Sequence, residues 1–184
     1  MKSLCDNQCV TADAEAAHGP ADELVDIVDE HDNVVETVTR REMRAARLRH
    51  RAVYIAVPHS DGRLLVHQRS HDKDVRPGAW DIAVGGVVGA GESYDDAAVR
   101  ELAEEIGIED AVPTPWGGGV FADESYELIG RCYHLVHDGP FRFADGEVIA
   151  AKWVNRRELA ILLRDEDVVS DSIALLLDRL VITD

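Results

Sequence analysis

Residues 85–108 read GGVVGAGESYDDAAVRELAEEIGI, and this stretch decides how the rest of the chain is understood. Ser93 followed three residues later by Asp96 is a capping-box-like helix start, and Gly107 is a suitable stop for a helix of about four turns. At 100° per residue, Ala98, Val99, Leu102, Ala103 and Ile106 share one face, while Arg100, Glu101, Glu104 and Glu105 share the other. One face should pack and the other should concentrate carboxylates. Glutamates within one turn repel one another unless something compensates. A divalent cation would do so: hard oxygen ligands suit magnesium or manganese, which keep waters and bind substrate phosphates in the remaining positions. A merely solvated acidic face would explain the helix composition equally well.

Working outward, short strands precede this helix. ELVDIV and NVVETV around the turn-like EHDN predict a β-hairpin. Arg40 to Arg51, RREMRAARLRHR, reads as a short, solvated, positively charged helix. Ala52 to Pro58 and Leu64 to Val66 flank the turn signal Ser60 to Gly62 and predict a second hairpin, followed by a strand over Trp80 to Val84. Beyond the central helix, Tyr126 to His137 and Glu147 to Val154 read as strands joined through GPFRFADG, and helices over Arg157 to Leu163 and Asp171 to Leu180 close the chain. Trp116 to Ser125, WGGGVFADES, reads as a plain surface turn, with a pocket-covering loop as the alternative. Strands, a helix, strands and then helices predict an α+β fold, a mixed-sheet α/β/α sandwich.

The 184 residues suit one well-packed domain, placed over 23–184, with 1–22 as a flexible arm. No apolar run approaches the roughly 20 residues that span a bilayer, and the N-terminus lacks the pattern of a secretory or transit signal. A cytoplasmic protein with no membrane association is expected. Three cysteines do not make a disulfide framework, and Cys5, Cys9 and His18 lack a fourth ligand for zinc. A formal charge of −17 disfavours long nucleic acid, but leaves small anionic substrates open if metal ions and a few local bases neutralise them. Ile173, Ala174, Leu176, Leu177 and Leu180 form an apolar stripe that is assigned to the core, with a dimer contact as the alternative, so monomer and homodimer both stay open.

The central stretch matches the pattern Gly-x5-Glu-x7-Arg-Glu-U-x-Glu-Glu-x-Gly-U, with U a bulky aliphatic residue, at Gly86, Glu92, Arg100, Glu101, Leu102, Glu104, Glu105, Gly107 and Ile108. It resembles the Nudix box. The resemblance implies a Nudix-type α/β/α sandwich that hydrolyses a diphosphate linkage with magnesium, or manganese, as cofactor. It implies that Glu101 and Glu105 are the principal metal ligands, that Glu104 assists, and that the backbone carbonyl of Gly85 completes the site. Glu92 and Arg100 pair as structural residues, with Gly86 and Gly107 shaping the loop and the helix end. Glu101 or Glu104 could serve as general base, and Glu147 resembles an outlying catalytic glutamate of some members, although an exposed strand-edge residue would look the same.

The segment QRSHDKDVRPGAWD, 68–81, gathers Arg69, Lys73 and Arg76, either a solvated loop or a clamp for the substrate's diphosphate. It resembles the branch that contains isopentenyl diphosphate isomerase. Gly85 and Val87, however, stand where that enzyme's cysteine and histidine would be, and Glu101 and Glu104 are retained, so hydrolysis is favoured over isomerisation. His50 matches one metal-binding histidine of that enzyme, though a lone survivor suits a structural role. A nucleotide-sensing module without turnover is the remaining alternative, and an intact box argues against it. Trp80 and Tyr126 could stack on a base or simply belong to the core. The expected partner is a small phosphorylated substrate, a nucleoside di- or triphosphate or derivative.

Overall fold

The computed structural model describes residues 20–143 and 146–184, so Cys5, Cys9, His18 and most of the proposed arm lie outside the described residues. The expected first hairpin forms: β1 (Leu24–Val28) and β2 (Val34–Thr39) are antiparallel, with Val25 opposite Val38. Thr39 then caps α1 (Arg40–Ala46) in a reciprocal box with Glu42. This helix is shorter than the Arg40 to Arg51 expected, because Arg47 turns left-handed at φ 53° and His50 and Arg51 open the next strand.

That strand, β3 (His50–Ala56), lies at the centre of a five-stranded mixed sheet. Its continuous apolar run is what a strand buried on both faces requires. Val53 and Ile55 point to one cluster with Leu102 and Ile106, while Ala52, Tyr54 and Ala56 point to another with Leu128, Leu162 and Leu176. The second predicted hairpin needs correction. A tight turn joins His59 to Arg63, but after the Pro58–Leu64 bridge the chain leaves the first sheet. β4 (Leu64–Arg69) instead pairs with β5 (Trp80–Asp81) and with β8 (Val148–Val154) in a separate antiparallel sheet. The strand expected over Trp80 to Val84 is accordingly reduced to two residues, followed by a single bridge from Val84 to Ile55.

The central helix is α2 (Tyr94–Ile106), capped by Ser93 and closed by Gly107 at φ 72°, as the sequence predicts. The segment assigned to a plain turn is β6 (Thr114–Ala122), an edge strand paired with β7 (Glu127–His134). β7 in turn lies parallel to β3, which makes the sheet order β2-β1-β3-β7-β6. α3 (Arg156–Asp165) and α4 (Ser170–Leu176) pack opposite α2, giving the α/β/α sandwich. In the C-terminal stripe Leu175 and Leu176 are the buried pair, Ile173, Leu177 and Leu180 pack beside them, and Ala174 is exposed. Among the described residues, no helix is long and apolar enough to cross a membrane.

Candidate active site

The acidic face of α2 is not a solvent face. Glu101 is 8 % and Glu105 only 1 % exposed, one turn apart, whereas Glu104 projects outward. Burial pushes the Glu105 carboxyl up to about 8, with the nearby charge of Glu101 adding to the effect, and burial raises Glu101 as well. A helix places two carboxylates side by side in low dielectric only where something offsets their charge.

Two cations do so here. Lys73 Nζ lies 3.4 Å from Glu105 Oε1 and also pairs with Glu147, which draws an outlying acid from the start of β8 toward the helix. Arg100 donates from Nη1 to Glu101 Oε1 at 2.8 Å and to Glu104 Oε2 at 3.0 Å. The same guanidinium forks onto Glu92, from Nε at 2.8 Å and Nη2 at 3.0 Å, and reaches the Val87 carbonyl at 3.2 Å. Glu92 also accepts from the Gly89 N–H at 2.8 Å, so the pair ties the loop 87–92 to the helix. Glu92 and Arg100 are thus paired with each other and with the backbone of the loop.

The glycines before the helix are set by close approach. A Cβ at Gly86 would collide with the Glu101 carboxylate, and one at Gly85 would run into the Val53 carbonyl oxygen. The Gly85 N–H points to Glu105 Oε2 at 3.4 Å. A cysteine at position 85, as the isomerase branch would need, has no room unless β3 shifts.

With Arg100 and Lys73 inserted among the acids, no three acidic, imidazole or thiol side chains among the described residues converge into a ready-made metal cage. The donor chemistry nonetheless fits a hard divalent ion. It comprises two carboxylates whose burial, and then whose proximity, raises Glu105, with Glu104 and Glu147 paired to the same two cations and able to join them.

Glu101, Glu104 and Glu147 line a cleft of about 1140 Å³, while Glu105 is buried beside Glu101 and does not reach its surface. Of the three bases proposed as a diphosphate clamp, all border this cleft, but each is already engaged. Arg69 donates to the Val75 carbonyl and lies 3.8 Å from Asp81, Lys73 holds the glutamates, and Arg76 pairs with Asp167 at 2.6 Å. Trp80 packs against the core, with Lys152 Nζ 4.5 Å above its ring, while Tyr126 reaches the cleft. His50 is buried, with Nδ1 3.0 Å from the Leu48 carbonyl, which supports its structural role.

Several cleft residues escape a reading of the sequence. Tyr54 donates to Asp171 at 2.6 Å across 117 residues, and burial lifts the nearby Asp81 carboxyl to about 6. Arg40 and Arg44, taken above for solvated helix charges, face the same space. Their i, i+4 spacing puts them on one face of α1, and the short 3-10 turn Pro20–Asp22, β1 and β2 pack against that helix.

Comparison with known proteins agrees with this geometry. The model of the NUDIX domain matches residues 48–176. The chain is 40 % identical over 151 residues to an uncharacterized Nudix hydrolase of Yersinia pestis, covering 82 % of each protein. It is 38 % identical over 151 residues to the uncharacterized Nudix hydrolase YfcD of Escherichia coli K12, covering 82 % of this chain and 83 % of that one. Among solved structures, DR0079 of Deinococcus radiodurans superposes with a TM-score of 0.72 at 28 % identity, over 86 % of this chain and 99 % of that one.

Proposed function

This chain belongs to the Nudix hydrolase family, and on that premise we propose that it hydrolyses the diphosphate linkage of a small phosphorylated molecule, of the nucleoside di- or triphosphate class, with magnesium or manganese. The observation that carries the reading is the Glu101–Glu105 pair, buried one turn apart beside a cleft, with a lysine and an arginine lodged among the acids.

In this reading Glu101, Glu105, Glu104 and the Gly85 carbonyl hold the metal. A bound divalent cation neutralises phosphoryl oxygens and acidifies a water molecule. The chain supplies the rest. With Glu101 and Glu105 as the principal ligands and Glu104 only assisting, Glu104 at the cleft surface and Glu147, which lines the same cleft, are the carboxylates best able to take a proton from water. Lys73, already between Glu105 and Glu147, keeps Glu147 turned toward the helix and offers its positive charge to the phosphate. Arg69 and Arg76 line the entry and complete the basic side of the cleft.

The test is a screen of purified protein with magnesium and then manganese against nucleotide, dinucleotide, nucleotide-sugar and prenyl diphosphates. Release of phosphate or nucleoside monophosphate that a chelator abolishes is expected. Absence of hydrolysis across the whole panel would return the protein to the sensor class.

A further inference from the structure

The cleft has a second cationic corner that the box does not account for. Arg44 projects from α1 into the cleft with 28 % of its side chain exposed, and its ion pair with Asp74 is long, at 3.6 Å. The Nε groups of Arg40, Arg44 and Arg76 are buried and meet no hydrogen-bond partner among the described residues, although Arg40 Nη1 pairs with Glu23 at 3.0 Å and Arg76 Nη2 with Asp167 at 2.6 Å; these three side chains and Tyr126, whose hydroxyl lies beside Asp171, line this cleft. Burial and the neighbouring Arg40 charge both press on Arg44, with Arg69 and Tyr126 also close enough to act on it.

Guanidinium groups only donate hydrogen bonds. A buried donor without a partner forfeits its hydration and gains nothing in return, so Arg44, held among the described residues only by its long ion pair and with the Arg40 charge beside it, calls for an occupant rich in acceptors and negative charge. Phosphate oxygens meet both needs, and arginine is suited to them by its planar fork. The corner is also within reach of the carboxylate helix. Lys73 and Asp74 are adjacent in the chain, and the first holds Glu105 while the second faces Arg44.

We propose that Arg44, with Arg40 and Tyr126 beside it, forms an oxyanion subsite for a phosphate group of the substrate other than the two joined by the cleaved linkage. The class selected is therefore one with a third phosphate, a nucleoside triphosphate or a diphosphate bearing a further phosphate group. The assignment to substrate rests on the hydrolase reading above; the capacity to bind phosphate does not.

Titration of inorganic phosphate and of tripolyphosphate into the full chain, in chelator and without divalent cation, tests the subsite directly. Calorimetry on wild type, Arg44→Gln, Tyr126→Phe and Glu105→Gln should show phosphate affinity about 10-fold or more weaker in Arg44→Gln and about 3-fold weaker in Tyr126→Phe. Glu105→Gln should not weaken it. No phosphate binding by wild type, or affinity within about twofold of wild type in Arg44→Gln, overturns the proposal. Should circular dichroism show Arg44→Gln unfolded, unchanged affinity in Tyr126→Phe overturns it instead. A kinetic arm separates the substrate class: Arg44→Gln should lower the kcat/KM ratio of a nucleoside triphosphate to a nucleotide sugar with an uncharged sugar, which has only the two bridging phosphates, about 10-fold or more. An unchanged ratio places Arg44 on the shared diphosphate and overturns the selectivity. Lack of wild-type turnover on both would sink the hydrolase reading, while the metal-free titration would still decide the subsite.

Discussion

Arg100 and Glu92 meet as a two-pronged ion pair, Nε to Oε1 at 2.8 Å and Nη2 to Oε2 at 3.0 Å, across the loop that leads into α2. The pair fixes the loop 87–92, which contains Gly89 and Gly91, because Glu92 also holds the Gly89 N–H and Arg100 the Val87 carbonyl. Replacing Glu92 with alanine removes charged hydrogen bonds worth about 1.5–3 kcal/mol each in general, less here because Arg100 is 34 % exposed. The expected result is a loss of about 2 kcal/mol in urea unfolding with a parallel fall in turnover. Wild-type stability in Glu92→Ala would show that the loop is held by other means.

Glu105→Gln separates catalysis from folding. The glutamine keeps the shape and discards a charge that burial already disfavours, so the melting temperature should stay level or rise. Turnover with magnesium should fall about 100-fold or more. Undiminished turnover in the folded variant would remove Glu105 from the metal site.

Gly86→Ala acts on the same site from the other side. The added methyl strikes the Glu101 carboxylate, the free end of a flexible side chain, so the fold should lose only about 1 kcal/mol or less. Displacing a catalytic carboxylate by even an ångström is costly to rate, and activity should drop about 10- to 100-fold. A denaturant midpoint measured beside kcat distinguishes this from general destabilisation.

Asp81 gives a pH dependence of stability. It is 6 % exposed, and burial raises its carboxyl from 3.8 to about 6. Between those values the folded protein keeps a proton that the unfolded chain has released. Stability from this group is therefore full below pH ~4 and declines as pH rises toward 6, by up to about 3 kcal/mol. Asp81→Asn should flatten that part of the stability profile, as read by chemical unfolding at several pH values. An unaltered slope would mean that Asp81 does not titrate there.

How much of this was legible beforehand differs from element to element. The central helix and its caps could be read from Ser93, Asp96 and Gly107, because capping is local chemistry and needs only neighbours in sequence. The acids of the site were also legible as residues. Their burial was not: the helical wheel puts Glu101 and Glu105 on the polar side, and it is the approach of Gly85 and Gly86 from the segment between β5 and the helix that covers them. The second hairpin misled for a related reason, since a turn signal fixes the reversal of the chain but not which sheet receives the next strand.

The glycine run of β6 shows the same division most clearly. Gly117, Gly118 and Gly119 suggest a turn when read in sequence, yet Gly118 pairs with Arg131 and Gly119 with Gly130 in a strand. A Cβ at Gly118 would meet the Gly130 carbonyl, and one at Gly119 or Gly130 would press on Leu175 of α4, so the missing side chains make room for a helix that follows some fifty residues later. Sequence by itself determined the box, its helix and the class of chemistry, because spacing along one helix is a local property. The burial of Glu105, the reach of Lys73 to Glu147 and the inward turn of Arg44 were decided only by tertiary structure, because each depends on how closely segments distant in the chain can pack.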